Sequence, residues 1–296
     1  MPRRTSTTTS TTDAVFHDAY ADVLATRWPA EAESATVDTP FGSTHVISYG
    51  RPDAPPLVLL PGGGATATAW FATAAALGTT HRVHAVDTIG EPGRSTAAPG
   101  RPVTSIADQL AWLDHVLDGA TDGSHPVALA GHSYGAWTAL HYALHAPERL
   151  RALALLDPTN CFTGYAPGFL LRALPVLLRP SPARNRAWLH WETRNAALDP
   201  AWVELYAAGA TFPSAKPLTG PRPDAAGIRV PTFVALAADS RAHDPRKVAR
   251  AAEALVPDVR TTFVPGTTHY SLAVAPPPQL LADLADFLTD RPATSG

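Results

Sequence analysis

Cysteine and lysine are almost absent from this sequence of 296 residues. Its one cysteine, Cys161, excludes an internal disulfide, and no Cys/His cluster has the spacing of metal ligands. The chain has only two lysines, Lys216 and Lys247, and its formal net charge of −3 is too small to indicate a nucleic-acid partner. No apolar run approaches the ~20 residues that span a bilayer. We therefore expect no metal, no organic cofactor, no nucleic-acid partner and no membrane association.

The composition is that of an ordinary globular protein. Hydrophobic residues make up 45% of the chain and charged residues 17%, which is ample material for a core. The first 12 residues are mainly Arg, Ser and Thr, with no apolar stretch of the kind found in a secretory signal. We expect residues 1–12 to form a disordered tail and the protein to be soluble and cytoplasmic. The composition leaves the oligomeric state open, a homo-oligomer included.

Apolar runs and helical patterns alternate along most of the chain. The runs at 57–60, 82–86, 126–130, 150–156, 232–236 and 260–264 predict strands, with helical patterns between most of them. This alternation predicts an α/β fold with a doubly wound, mostly parallel sheet. Between 160 and 226 it stops, and helical patterns follow one another at 167–179, 184–194 and 200–209. We predict a core formed by 13–159 and 227–292, with an all-helical insertion at 160–226.

A serine between two glycines stands where a predicted strand meets a predicted helix. Residues 131–135 read Gly-His-Ser-Tyr-Gly, after the strand at 126–130 and before a helix at 134–145. This pattern at a strand-to-helix turn is typical of a nucleophile elbow, which projects the serine hydroxyl into a cleft. The five residues occur by chance in many chains, but their setting here favours Ser133 as a nucleophile.

A serine nucleophile needs a base and an oxyanion hole. His269 follows the last predicted strand, and in a doubly wound sheet that loop opens at the same edge as the elbow. The order of serine, acid and histidine along the chain also fits this fold. The N–H groups of Tyr134 and of Gly63, in the Gly run at 62–64, are the candidate oxyanion donors. We expect His132, also in the elbow, to be structural.

Four segments carry a resemblance to a known family: 59–64 (Leu-Leu-Pro-Gly-Gly-Gly), 86–95 (Val-Asp-Thr-Ile-Gly-Glu-Pro-Gly-Arg-Ser), the elbow at 131–135, and 264–269 (Val-Pro-Gly-Thr-Thr-His). From about 35 to 290 the chain resembles the α/β-hydrolase superfamily, and within it the carboxylesterase-type members with a helical cap. The resemblance implies an α/β-hydrolase fold and a cap at 160–226. Pro61 is a departure, because such enzymes usually carry His before the glycines to brace the oxyanion loop.

Three aspartates are candidates for the acid of the triad. The resemblance implies an acid soon after the strand at 232–236, where the aligned residue is a serine. Asp239 lies one residue before that position and Asp244 a few residues after it. Asp157 follows the preceding strand, and some family members take their acid from that strand end. We place Asp157 first and keep Asp239 and Asp244 as alternatives, since an aspartate before proline is also a common turn cap.

These residues predict a serine hydrolase that cleaves a carboxylic ester, lactone or thioester through an acyl-enzyme. The insertion is rich in aromatic residues, and Trp188, Trp191 and Trp202 are candidates for an apolar pocket that binds a medium-sized hydrophobic substrate. The same side chains could simply pack the insertion onto the core. Two other functions stay open: a small-molecule receptor with little or no catalysis, and cofactor-free, non-hydrolytic chemistry on the same triad.

Overall fold

The computed structural model describes residues 11–123, 125–215 and 218–289. In these residues a nine-stranded sheet forms the centre of the protein. Its strands are β1 (Glu33–Thr39), β2 (Gly42–Tyr49), β3 (Pro56–Leu60), β4 (Arg82–Val86), β5 (Thr96–Ala97), β6 (Val127–His132), β7 (Leu150–Leu156), β8 (Thr232–Ala237) and β9 (Val259–Val264). The order is β1-β2-β4-β3-β6-β7-β8-β9, with β5 paired to β2. The strands from β4 to β9 in this order are parallel, whereas β1, β2 and β5 pair in antiparallel fashion.

Helices connect most of these strands. They are α1 (Thr11–Arg27), α2 (Phe71–Leu77), α3 (Ile106–Thr121), α4 (Tyr134–His145), α5 (Pro167–Leu178), α6 (Pro182–Glu192), α7 (Pro200–Gly209), α8 (Pro245–Leu255), α9 (His269–Val274) and α10 (Pro278–Thr289). Short 3-10 helices occur at Ala67–Trp70, Pro147–Arg149 and Ala225–Gly227. Within the described part of the chain, no helix is both long enough and apolar enough to cross a membrane.

The sheet is buried on both faces, which is why its strands read as continuous apolar runs. On β3, Leu57 and Leu59 join the hydrophobic cluster on one face, while Val58 and Leu60 join the cluster on the other. This alternation follows from the two-residue period of a strand. The predicted doubly wound α/β fold is confirmed. Because the central strands are parallel, the carboxyl ends of β3, β6, β7, β8 and β9 meet at one edge.

The region from 160 to 226 contains α5, α6 and α7, and no strand among its described residues. Its division from the core as a cap stays a prediction. Helix α1 packs against the end of this region: the ring of Phe16 lies 4.1 Å from that of Phe212, and Arg27 forms an ion pair with Asp199, which caps α7.

Two short elements differ from what the sequence predicts. His269 was predicted to lie in a loop, but it is the first residue of α9, a helix too short to show a 3.6-residue period. Most of the tail predicted at 1–12 lies outside the described residues, and its last two residues already belong to α1.

Candidate active site

Ser133 is the single residue between β6 and α4. Its φ of 53° and ψ of −112° lie in a region that residues with a side chain rarely adopt. The flanking glycines are required because a Cβ at Gly131 would come within 2.3 Å of the carbonyl oxygen of Gly135. A Cβ at Gly135 would come equally close, at 2.3 Å, to the carbonyl oxygen of Leu60. The turn therefore accepts only glycine at both positions and holds the serine hydroxyl in a half-buried place at the sheet edge.

The structure brings Ser133, His269 and Asp157 together. His269 Nε2 lies 2.8 Å from Ser133 Oγ, and His269 Nδ1 lies 2.6 Å from Asp157 Oδ2. Ser133 follows β6, Asp157 follows β7 and His269 begins α9 after β9, so segments after three strands that end at the same edge of the sheet supply the three side chains. Both Asp157 and His269 are buried. A proton can pass along this chain of hydrogen bonds from the serine hydroxyl to the imidazole.

The Asp157 carboxylate is surrounded by donors. Oδ2 accepts hydrogen bonds from His269 and from the Ser240 hydroxyl, the latter at 2.7 Å. Oδ1 accepts from the backbone N–H of Ala237 at 3.1 Å and from His243 Nε2, also at 3.1 Å. Burial alone would raise the pKa of this carboxyl. The charges and hydrogen bonds of His243 and His269 instead hold that pKa well below its usual range.

The other two candidate aspartates lie elsewhere. Asp244 caps α8, where its side chain accepts hydrogen bonds from the backbone N–H groups of Arg246 and Lys247. Asp239 follows β8, and its backbone N–H donates to the carbonyl of Thr267. The carboxylate that binds the His269 imidazole is therefore that of Asp157, and neither Asp239 nor Asp244 binds it.

Two contacts of the site have no counterpart in the sequence-based interpretation. His243 is buried, and its Nδ1 has no hydrogen-bond partner among the described residues, which favours the tautomer with the proton on Nε2, donated to Asp157. Thr159 Oγ1 lies 3.3 Å from Ser133 Oγ and accepts a hydrogen bond from the hydroxyl of Tyr165. Both residues lie in loops after strands, but spacing along the chain does not specify where their side chains point.

The loop after β3 lies beside the elbow. A Cβ built on Gly63 would lie 3.7 Å from the Cβ of Tyr134, so the two candidate oxyanion donors are neighbours. Neither N–H donates a hydrogen bond within the part of the chain that the structure describes. The next residue, Gly64, donates its N–H to the buried carboxylate of Glu91 at 2.8 Å, which fixes the loop. Burial raises the pKa of this carboxyl.

His132 lies under the site, consistent with the structural role predicted for it. Its Nε2 lies 2.9 Å from the carbonyl oxygen of His269, so this nitrogen carries the proton and donates it. Its Nδ1 would lie 2.7 Å from a Cβ at Gly62, which explains the glycine there. Burial, together with the charge of His269, lowers the pKa of His132 to about 3, so its ring is neutral at physiological pH.

Aromatic side chains of the insertion approach the site in two groups. Phe169 lies 6.0 Å from the ring of His269, and Trp188 packs edge-on against Phe169 with centroids 4.7 Å apart. Trp191 lies beside Trp188 at 5.3 Å. Trp202 is fully buried; it stacks on Tyr206 at 5.3 Å and its ring lies 6.3 Å from that of Tyr270, the residue after His269. Trp188 and Trp191 therefore belong to the group that reaches the imidazole through Phe169, while Trp202 belongs to the group that contacts Tyr270.

Known proteins resemble this chain over most of its length. Residues 57–284 match the alpha/beta hydrolase family. The chain is 29% identical over 270 residues to an uncharacterized carboxylesterase, nap, of Bacillus subtilis strain 168, with 86% of each protein covered. It is 36% identical over 152 residues to carboxylesterase YbfK of the same strain, with 51% of this chain and 50% of that protein covered.

Solved structures show the same likeness. The crystal structure of carboxylesterase CesB (YbfK) from Bacillus subtilis superposes with a TM-score of 0.86 at 26% identity, covering 94% of this chain and 99% of that chain. Naproxen esterase from Bacillus subtilis superposes with a TM-score of 0.83 at 26% identity over the same shares of the two chains. The family match spans well over half of the sequence and contains Ser133, Asp157 and His269. The chain therefore belongs to the alpha/beta hydrolase family.

Proposed function

We propose that the protein is a serine hydrolase of carboxylic esters, with Ser133 as nucleophile, His269 as base and Asp157 as acid. The observation that carries this proposal is the continuous hydrogen-bonded chain from Ser133 Oγ through His269 to Asp157, built on a strained turn. The carboxylesterase names of the similar proteins support ester hydrolysis.

The mechanism follows from these contacts. His269 Nε2 takes the proton of Ser133 as Oγ attacks the ester carbonyl, and Asp157 holds the ring with its other proton on Nδ1. The N–H groups of Gly63 and Tyr134 stabilise the oxyanion of the tetrahedral intermediate. The carbon–oxygen bond of the ester then breaks, and the imidazolium protonates the leaving alcohol. Water repeats the sequence on the acyl-enzyme and releases the acid.

The substrate class is proposed from the aromatic side chains above the site. We assign 160–226 as a cap, because Phe169 of α5 lies against the ring of His269 and Trp188 of α6 donates a hydrogen bond to the hydroxyl of Tyr270. The apolar side chains of Phe169, Trp188 and Trp191 on the side of His269 favour a hydrophobic acyl or ring group, and we propose the medium size predicted from the sequence. Lactones and thioesters present the same carbonyl to Ser133 and fall within this proposal.

The two alternative functions are not favoured by the comparisons. A receptor without catalysis would not need the hydrogen-bonded chain at Ser133, and the similar proteins are carboxylesterases rather than receptors. Non-hydrolytic chemistry on the same triad has no specific contact in its favour. A cytoplasmic location and a homo-oligomer stay predictions.

A fluorophosphonate probe tests the nucleophile directly. We expect the folded protein to be labelled on Ser133, and the Ser133→Ala variant to be neither labelled nor active on p-nitrophenyl butyrate. The matched control is Ser43→Ala, which removes a hydroxyl bonded to Asp38 on the β1–β2 hairpin, outside the contacts of the triad, and is expected to leave labelling unchanged. A folded protein that stays unlabelled and inactive on short aryl esters would refute the hydrolase function.

A further inference from the structure

Glu192, the last residue of α6, places a carboxylate of the insertion against the backbone of the core. Its side chain is fully buried. Oε1 accepts the backbone N–H of His269 at 2.9 Å, and Oε2 accepts the backbone N–H of Tyr270 at 3.2 Å. Oε2 also accepts the hydroxyl of Thr268 at 3.1 Å. Three consecutive residues at the start of α9 are thus bound to one carboxylate from a distant segment.

This carboxylate is the first acid after a long stretch of the chain without one. From residue 158 to residue 191 the chain contains four arginines and neither Asp nor Glu. Burying a carboxylate is costly, and burial raises the pKa of Glu192 although His269 and the hydrogen bonds act in the opposite direction. Packing alone would be served as well by an apolar side chain. A carboxylate differs from an apolar side chain because it can accept hydrogen bonds from the three donors of residues 268–270.

We propose that Glu192 is a positioning residue for His269: by binding the N–H groups of His269 and Tyr270 it fixes the backbone from which the imidazole reaches Ser133 and Asp157. The proposal rests on the proposed function of these residues as a triad. It makes the insertion a part of the catalytic geometry, and not only a cover over the substrate.

The backbone of His269 is held on both sides. Its N–H is bound by Glu192 at 2.9 Å, and its carbonyl is bound by His132 Nε2 at 2.9 Å. With the backbone fixed, only the two side-chain torsions of His269 remain, and the hydrogen bond to Asp157 sets them. Without the Glu192 contacts, the N–H side of the His269 backbone is no longer held, and only the bond to its carbonyl remains. A displacement of about 1 Å at a reacting group can cost roughly 10²-fold in rate.

Glu192→Gln tests the proposal because it keeps the shape of the side chain and removes one acceptor and the charge. One of the two backbone N–H groups then faces an NH₂ group. We expect kcat on p-nitrophenyl butyrate to fall roughly 10- to 100-fold with KM within about twofold, since the substrate surface is untouched. Turnover is expressed per active site, counted with the fluorophosphonate, so that a smaller folded fraction does not count as a lower kcat.

Two controls separate positioning from stability. Glu204→Gln makes the same chemical change at an exposed site paired with Arg186. Asn185→Ala removes a buried hydrogen bond within the insertion, 3.0 Å to the carbonyl of Tyr206, and so lowers stability without touching His269. We expect both controls to keep kcat within about twofold of the wild type.

A proton NMR signal gives a readout that does not depend on turnover. The Nδ1 proton between His269 and Asp157 is expected to give a downfield resonance in the wild type, shifted or broadened in Glu192→Gln and unchanged in Glu204→Gln. If the Gln variant does not fold, Thr268→Val removes one donor to the carboxylate and is expected to lower kcat roughly threefold or more.

An unchanged kcat and resonance in Glu192→Gln, or in Thr268→Val where the first variant does not fold, would overturn the positioning role. A wild-type protein that is neither labelled nor active would refute the proposed function instead. In that case the resonance alone decides whether Glu192 positions the ring.

Discussion

Replacing Asp157 by Asn tests the assignment of the acid, and the surrounding donors determine how the new amide must lie. An amide has one oxygen and one NH₂ group, whereas all four contacts of Asp157 are made to oxygen. The backbone N–H of Ala237 points at Oδ1 and cannot become an acceptor. The His243 ring donates to the same oxygen, while the Ser240 hydroxyl at Oδ2 can rotate and accept instead. The amide oxygen therefore takes the place of Oδ1.

The NH₂ group then faces His269. The imidazole must accept at Nδ1 and carry its proton on Nε2, where it can no longer take the proton of Ser133. The opposite orientation would leave the N–H of Ala237 against an NH₂ group, at a cost of roughly 1–3 kcal/mol. A histidine in the wrong tautomer, beside a neutral partner, is expected to lower kcat about 10⁴-fold, or about 5.4 kcal/mol of activation free energy.

The assay is kcat on p-nitrophenyl butyrate for Asp157→Asn, Asp239→Asn and Asp244→Asn, with folding checked by circular dichroism. Asn also caps helices well, so Asp244→Asn retains the start of α8. We expect the Asp239 and Asp244 variants to retain kcat within about threefold. An Asp157→Asn variant that keeps kcat within tenfold of the wild type would refute the triad, and a large loss in Asp239→Asn or Asp244→Asn would place the acid there.

Two further changes test the elbow and the surroundings of the acid. Gly135→Ala is expected to destabilise the fold by about 3 kcal/mol or more in urea unfolding and to abolish activity, because its Cβ would meet the carbonyl of Leu60. Gly168→Ala, exposed on α5 with no atom near its Cβ, is expected to stabilise by up to about 1 kcal/mol, and equal effects of the two would contradict the steric account. His243→Ala removes a partner that lowers the pKa of Asp157, so its stability deficit, about 2 kcal/mol near neutral pH, should narrow as pH falls below about 4. A deficit that widens in acid would show that His243 does not favour the ionised carboxylate.

Local patterns predicted much of the fold and two members of the site. The helix at 134–145 and the strand at 150–156 have the predicted bounds, because each is a long apolar or strongly periodic segment. Ser133 is marked by its glycines, and His269 by its place after the last strand. Such signals are carried by neighbours in the chain, and so the sequence displays them directly.

The acid depends on contacts between distant segments. Asp157, Asp239 and Asp244 each follow a strand that ends at the active-site edge, and nothing near them in the chain says which carboxylate reaches His269. In the structure it is Asp157 that reaches His269. Its backbone is left-handed, with a φ of 41°, and its carboxylate is bound by the N–H of Ala237 and the hydroxyl of Ser240.

Glu192 and His243 were missed for the same reason, although Glu192 left a trace in the sequence. It is the first acid after a long stretch without any, next to Trp191 on a helix whose aromatic face must be buried. A buried acid needs hydrogen-bond donors, but the sequence does not show that these donors lie at the start of α9, about 76 residues farther along the chain. His243 has no comparable mark, because the direction of a side chain in a loop is set by the fold around it.

The contact between α1 and the end of the insertion has a mechanical consequence. The chain joins the insertion to the core at two points, where it enters the insertion and where it leaves. If these were the only connections, the insertion could rotate as a rigid body about the line through the two points. The contacts of Phe16 with Phe212 and of Arg27 with Asp199 supply a third fixed point. A third point off that line opposes the rotation, so the insertion can swing away from Ser133 only if α1 moves with it or releases it, and only if the hydrogen bonds of Glu192 and Trp188 to residues 268–270 also break.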